Sequence, residues 1–201
     1  MLEEHLLRAR QEEERLTKET YEGETLTGLD LSGLEFHTVT FHKCRFIGCD
    51  FSNCSFWESR WEGCDFSNCS LSGVYWKDCR LSECKGEGAD LRDSRWKSSC
   101  LSACRLAMVN ASQSHWDSCR WEGCDFRLAI FQSCSLKKLT ALDCGLSQVT
   151  FFRTRLDGLD LSTCTLEGLT LSQSLGELKG LTIAPHQAEN LIKLLGVKIR
   201  S

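Results

Sequence analysis

From Leu26 to Leu171 every fifth residue is apolar or glycine, thirty positions in a row without a slip of register. The series opens Leu26, Leu31, Phe36, Phe41, Phe46, Phe51, Phe56, Trp61, Phe66, and later includes Trp76, Trp96, Trp116, Trp121 and Phe126. Only Gly86, Ala111 and Ala141 are small. A period of five belongs neither to a helix, at 3.6, nor to a half-buried strand, at 2. Repetition on this scale means stacked units that bury a shared core, because no single unit can bury its own apolar face. A second set of small residues stands two places before each member of the first, and thirteen of the fourteen cysteines fall on it. Only Cys100 is out of phase. A longer period of twenty lies over the short one. Cys44, Cys64, Cys84, Cys104, Cys124, Cys144 and Cys164 form one unbroken ladder, Trp76, Trp96 and Trp116 another, and the segment RWEGCDF recurs sixty residues apart, at 60–66 and 120–126.

The units CDFSN, CSLSG, ADLRD and LDLSG resemble those of the pentapeptide-repeat family. That resemblance implies an all-β solenoid, a right-handed quadrilateral parallel β-helix in which four pentapeptides make one coil. Residues twenty apart then stack, and the two RWEGCDF copies lie three coils apart on one corner. About eight coils at the strand spacing give a rod of roughly 38 Å. The expected organisation is a charged N-terminal helix over 1–20, the β-helix over 21–181, and a C-terminal helical capping and dimerisation module with a short strand over 182–201. The structural core is expected from Phe46, Phe66, Trp76, Trp96, Trp116, Trp121 and Phe126 together with the seven-cysteine ladder. Volumes should compensate within a coil, Ala111 offsetting Trp116 and Trp121, and Gly86 offsetting Trp96.

Several function classes drop out. Free cysteines behave as small buried hydrophobes, and thiols stacked with parallel Cβ vectors do not match disulfide geometry. No CxxC pair or Cys/His cluster has metal-ligand spacing, so no metal site is expected. His37 and His42 fall on adjacent faces and diverge. No serine stands beside a base and an acid, so neither an enzyme nor a cofactor is expected. A net charge of −4 argues against direct nucleic-acid binding. No apolar run reaches the roughly 18 residues of a membrane span, and the carboxylates of MLEEHLLRARQEEERL stand where a signal peptide has its basic and apolar regions, so a cytoplasmic location is expected.

The two ends carry further signals. Leu2, Leu6 and Leu16 make a thin apolar stripe on the N-terminal helix. At the other end, Ala188, Leu191, Ile192, Leu194 and Leu195, with Val197 beyond Gly196, make an apolar face suited to a dimer interface. The pattern PHQAENLIKLLGV resembles the C-terminal module of the Qnr, MfpA and McbG group of that family. This implies an end-to-end homodimer and a partnership with bacterial type II topoisomerases, DNA gyrase above all. The group is described as protecting against quinolones or gyrase-targeting toxins, in one case by mimicking duplex DNA with an acidic rod. Carboxylates in rows are what such mimicry needs. Here Asp30, Asp50 and Asp90 fall on one face and Asp65 and Asp125 on another, while Arg60, Arg80 and Arg120 make a third face basic. Between residues 21 and 181, 21 acids face 17 bases. Trp57 and Tyr75, outward and on adjacent coils, form a candidate apolar contact patch. Two readings follow: a DNA-mimicking rod that modulates a topoisomerase, or a non-enzymatic interaction scaffold with another partner.

Overall fold

A computed structural model describes residues 2–197. The column is a parallel β-solenoid built on the five-residue period. At each step the central apolar residue points inward, the small residue two places earlier is also buried, and the residue just before that small one forms the corner and is exposed at nearly every step. That corner residue takes positive φ at nearly every step, as Gly, Asn or Asp at many positions and as Met108 (φ 60°) or Leu128 (φ 62°) at others. A left-handed corner costs a non-glycine residue about 1–2 kcal/mol, which only a well-packed column sustains.

Two seven-stranded parallel sheets run along the column. The first starts at Leu16–Thr17 and proceeds through Glu35–His37 and Ser55–Trp57 to Ser135–Lys137; the second runs from Thr20–Glu22 through Arg60–Glu62 and Cys100–Ser102 to Thr140–Leu142. Every register step is twenty residues, for example Phe56 to Trp76, Trp96 and Trp116. The third face has two strands, Thr25–Thr27 and Arg45–Ile47, and then single bridges from Arg45 to Thr165. The fourth is made of bridges alone, Asp30 to Thr170. Six successive pairings separate the first and last strands of each seven-stranded sheet, so regular strand spans about six turns, against the eight coils expected. Beyond Leu142 the pairing continues only as isolated bridges.

Inside, aromatic rings stack along the axis. Phe36, Phe56, Trp76, Trp96 and Trp116 form one column with centroid spacings of 4.6, 4.3, 4.7 and 4.5 Å and interplanar angles of 15° or less. Phe46, Phe66, Trp121 and Phe126 are buried around it. The cysteine ladder fills a corner, and its buried thiols act as donors. Cys64 Sγ donates to Phe41 O, Cys84 Sγ to Trp61 O and Cys104 Sγ to Leu81 O, each at 3.2–3.5 Å. Ser59 and Thr154 occupy the same kind of slot on other corners and donate to Phe36 O and Phe131 O. Cys therefore serves as a small apolar residue with a weak donor. Burial pushes the Cys54 and Cys79 thiols up to about 12, and all fourteen cysteines are free.

Volume compensation runs along the column as well as around it. A Cβ on Gly86 would lie 2.6 Å from Phe66 Cζ and 2.9 Å from Leu106 Cδ2, side chains of the rungs below and above. The missing leucine at Gly86 is thus replaced axially by Phe66, where the sequence suggested only Trp96 in the same coil.

The N-terminal helix is shorter than 1–20. It spans Leu2–Gln11 (α1), lays Leu2, Leu6 and Ala9 on the open end of the first turn, and is followed by strand at Leu16. Leu16 and Tyr21 are core residues of that turn, because the five-residue phase already runs through them. Tyr21 Oη and His5 Nδ1, 2.8 Å apart, join helix to column.

At the other end the chain makes an irregular last coil. Gly176–Leu178 and Pro185–Gln187 are 3₁₀ turns, and the α-helix is Ala188–Lys193 (α2), starting later than the expected 182. Buried Gln187 donates from Nε2 to Leu161 O and Cys164 O, closing carbonyls that no further coil can reach. Buried Glu177 accepts from Arg153 N, Ser172 N and Ser172 Oγ; burial alone would raise its pKa, and these hydrogen bonds bring it below the usual carboxylate value. No helix among the described residues is long and apolar enough to cross a membrane. Of the short strand expected near the end, Val197 is irregular and the residues after it lie outside the described ones.

Candidate functional site

Stacking at one strand spacing turns sequence positions twenty apart into vertical rows, so outward charges form ladders. The first acidic row is Asp30, Asp50, Ser70, Asp90 and Asn110, joined by consecutive bridges. Each of its carboxylates caps its own corner: Asp30 Oδ1 and Asp50 Oδ1 accept from the N–H and hydroxyl of Ser32 and Ser52, and Asp90 Oδ1 accepts from Arg92 N. Asn, Asp and Ser favour corners for this reason. Two members are also neutralised. Arg10 from α1 binds Asp30, and Arg92 grips Asp90 with Nη2 to Oδ2 at 2.6 Å. Hydrogen bonds from Ser32 and then Arg10 lower the Asp30 pKa to about 2, and Arg92 lowers that of Asp90.

The second acidic row behaves alike. Asp65 and Asp125 stand three rungs apart, separated by Lys85 and Arg105. Arg127 pairs with Asp125 at 2.7 Å and depresses its pKa, while Asp65 accepts from Ser67 N. Of the five aspartates expected to form phosphate-like rows, only Asp50 and Asp65 have no ion pair among the described residues. An i to i+2 Asp–Arg spacing at 90/92 and 125/127 was the sequence signal for this neutralisation; Arg10 carried none, since it reaches Asp30 only through the docking of α1.

On the second sheet Arg60, Arg80, Cys100 and Arg120 are consecutive in-register partners. Arg120 is held by Glu122 at 3.0 Å. Arg60 has no such pair with Glu62. The first sheet carries the aromatic patch: Trp57 stacks on His37 at 5.6 Å and 12°, meets the edge of Tyr75 at 5.1 Å, and lies under Lys77 Nζ at 5.0 Å. Trp57 and Tyr75 are half-buried and already spend their faces on neighbours. Desolvation pushes the His37 pKa down, and His42 pairs with Glu22 at 3.1 Å on the neighbouring sheet, so the two histidines do not converge. Among the described residues no three His, Cys, Asp or Glu side chains are placed to hold a metal ion.

The C-terminal residues expected at a dimer interface divide by burial. Leu191 packs on the core edge, Ala188 and Leu194 are half-buried, and Ile192, Leu195 and Val197 are exposed, Leu195 by 66%. Met108 and Leu128, exposed by 56% and 50% on adjacent rungs, make an apolar corner that the core periodicity did not reveal, because they sit at the corner phase.

Comparison with known proteins places this geometry. The family model for pentapeptide repeats matches residues 25–58 and 64–95 in eight copies. A trypsin-treated form of QnrB1, described as a plasmid-mediated fluoroquinolone resistance protein, superposes with a TM-score of 0.53 at 19% identity, covering 92% of this chain and 97% of that one. HetL, described as a pentapeptide repeat protein involved in heterocyst differentiation regulation in the cyanobacterium Nostoc sp. strain PCC 7120, matches at 16% identity and a TM-score of 0.30, covering 88% and 94%. No curated protein sequence matches the chain.

Proposed function

Because pentapeptide repeats match residues 25–58 and 64–95 and the chain folds as a parallel β-solenoid, we propose that it acts without catalysis, as a rigid cytoplasmic rod whose patterned faces bind a protein partner. The observation that carries this reading is the continuous, side-chain-filled column, whose interior is occupied by stacked rings and thiols and whose polar groups are spent on corners and pairs. Its serines are part of that framework: buried Ser94 and Ser114 accept hydrogen bonds from Trp96 Nε1 and Trp116 Nε1 at 2.9 and 2.8 Å. A side chain so engaged is not poised as a nucleophile.

A second reading is favoured by the likeness of fold to QnrB1 and by the PHQAENLIKLLGV segment: the partner is a type II topoisomerase, with the rod standing in for DNA. Fold alone does not carry function. Mimicry needs free carboxylates in rows, and arginines already hold Asp30, Asp90 and Asp125. Asp50 and Asp65 are left for that role. In either reading the exposed Ile192, Leu195 and Val197 suit a two-fold, end-to-end homodimer. Co-sedimentation of the purified chain with DNA gyrase separates the two. A shared boundary that Asp50→Asn/Asp65→Asn abolishes establishes the topoisomerase reading, and independent boundaries leave the general interaction rod.

A further inference from the structure

The two RWEGCDF copies build the walls of one surface feature. They put identical outward pairs, Arg60 with Glu62 and Arg120 with Glu122, on the second sheet three strand spacings apart, about 14 Å. The two rungs between them are Arg80–Ser82 and Cys100–Ser102, paired in register. Leu81 and Leu101 point inward, and Ser82, Cys100 and Ser102 are short, so the face sinks between its walls into an open notch edged by Asp78 and Ser98.

The notch carries three arginines and three carboxylates, yet among the described residues only Arg120 and Glu122 are within ion-pair distance. Arg60 and Arg80 are direct cross-strand partners and both are exposed. Among the described residues neither has a carboxylate within ion-pair distance, whereas Arg120 is tied to Glu122. Like charges directly opposite destabilise a sheet, so an anion seated here relieves a standing repulsion. We propose that the notch binds a short acidic segment of a partner protein, two of its carboxylates on Arg60 and Arg80 and its remaining oxygens on the hydroxyls of Ser82 and Ser102. Guanidinium groups suit carboxylates because their fork donates bidentately. The dimensions select a segment of about four residues, since extended chain advances about 3.3 Å per residue. They also select against nucleic acid. Glu62 and Glu122 close the two ends, and Glu58 and Asp78 line the adjacent corner, so a continuing polyanion meets repulsion wherever it leaves the notch.

This deepens the interaction-rod reading by naming the chemistry of the partner. Cys100 in the notch floor reports on occupancy, because it is the one cysteine that is not buried. The test is the rate at which the native full chain is alkylated once by iodoacetamide, followed by intact mass. It is measured alone, with a capped Gly-Asp-Glu-Asp-Glu-Gly peptide, with a lysine peptide of equal length, and with a short oligothymidylate. The acidic peptide is expected to slow alkylation at least fivefold at saturation, and high salt should remove the effect. Arg60→Ala/Arg80→Ala should lose the protection, and so should Ser82→Glu, which fills the notch with a carboxylate while leaving both arginines. Equal protection by the lysine peptide, protection by the oligonucleotide instead, protection surviving in both variants, or no protection at all overturns the proposal. None of these outcomes touches the choice between a topoisomerase and another protein partner, which the gyrase measurements test with no acidic peptide present.

Discussion

Gly86 offers a quantitative test of how the column is packed. Its φ is not in the left-handed region, so an alanine there meets no backbone strain, only the atoms of its neighbours. The new Cβ would stand 2.6 Å from Phe66 Cζ, closer still to Phe66 Cε2, and 2.9 Å from Leu106 Cδ2, where ordinary contact needs about 3.5 Å or more. Overpacking a filled core costs about 1–3 kcal/mol. Replacing glycine returns about 0.4–1 kcal/mol from the unfolded chain. Gly86→Ala should therefore lose about 1–2 kcal/mol net, or about 2–8 °C in Tm at this size. Phe66→Leu alone removes the ring atoms that fill the space and should lose a similar amount. The double variant, with the clashing atoms gone, should be at least about 1 kcal/mol more stable than the sum of the two losses. A double-mutant cycle by urea unfolding reads this directly, and additivity to within about 0.5 kcal/mol would refute axial compensation.

Other consequences follow from single contacts. Trp96 Nε1 and Trp116 Nε1 donate to Ser94 and Ser114, whereas Trp76 Nε1 has no partner and the corresponding residue is Val74. Ser94→Ala should cost about 1–3 kcal/mol in denaturant unfolding, while Val74→Ser, which supplies the missing acceptor, should fall within about 0.5 kcal/mol of the parent. The Asp30 pKa lies near 2 in the folded chain against about 3.9 unfolded, so the stability that Ser32 and Arg10 confer through it is present above about pH 4 and is lost as pH falls from there toward 2. Urea midpoints taken at pH 6 and pH 3 should accordingly fall further for the parent than for Asp30→Asn. Leu195→Asp should give a monomer at micromolar concentration by sedimentation if α2 pairs two copies, and an unchanged profile removes that interface.

Much of the column was legible because its signal is redundant. Thirty in-phase residues and two ladders at spacing twenty leave one stacking register, and the pairing of Trp76 with Trp96 and Trp116 is that register. The first turn was legible too, in Leu16 and Tyr21, but the surrounding charges of QEEERLTKETYEGE favour helix by composition, and tertiary packing decides against it. The surface was harder to read. An outward aspartate is certain from its phase, yet whether it is free depends on its neighbours: Arg92 and Arg127 two residues on, or Arg10 brought from another element. Gln187 shows the same limit at the C-terminus, where a residue read as part of a dimer motif closes the last coil of its own chain.

The most direct measurement of function is DNA gyrase supercoiling with the purified chain titrated in, without drug and with an inhibitory dose of a fluoroquinolone. A rod whose carboxylate rows are mostly neutralised leaves supercoiling unchanged in both arms up to large excess. Inhibition without drug, or recovered supercoiling with it, contradicts that expectation and makes the topoisomerase the partner.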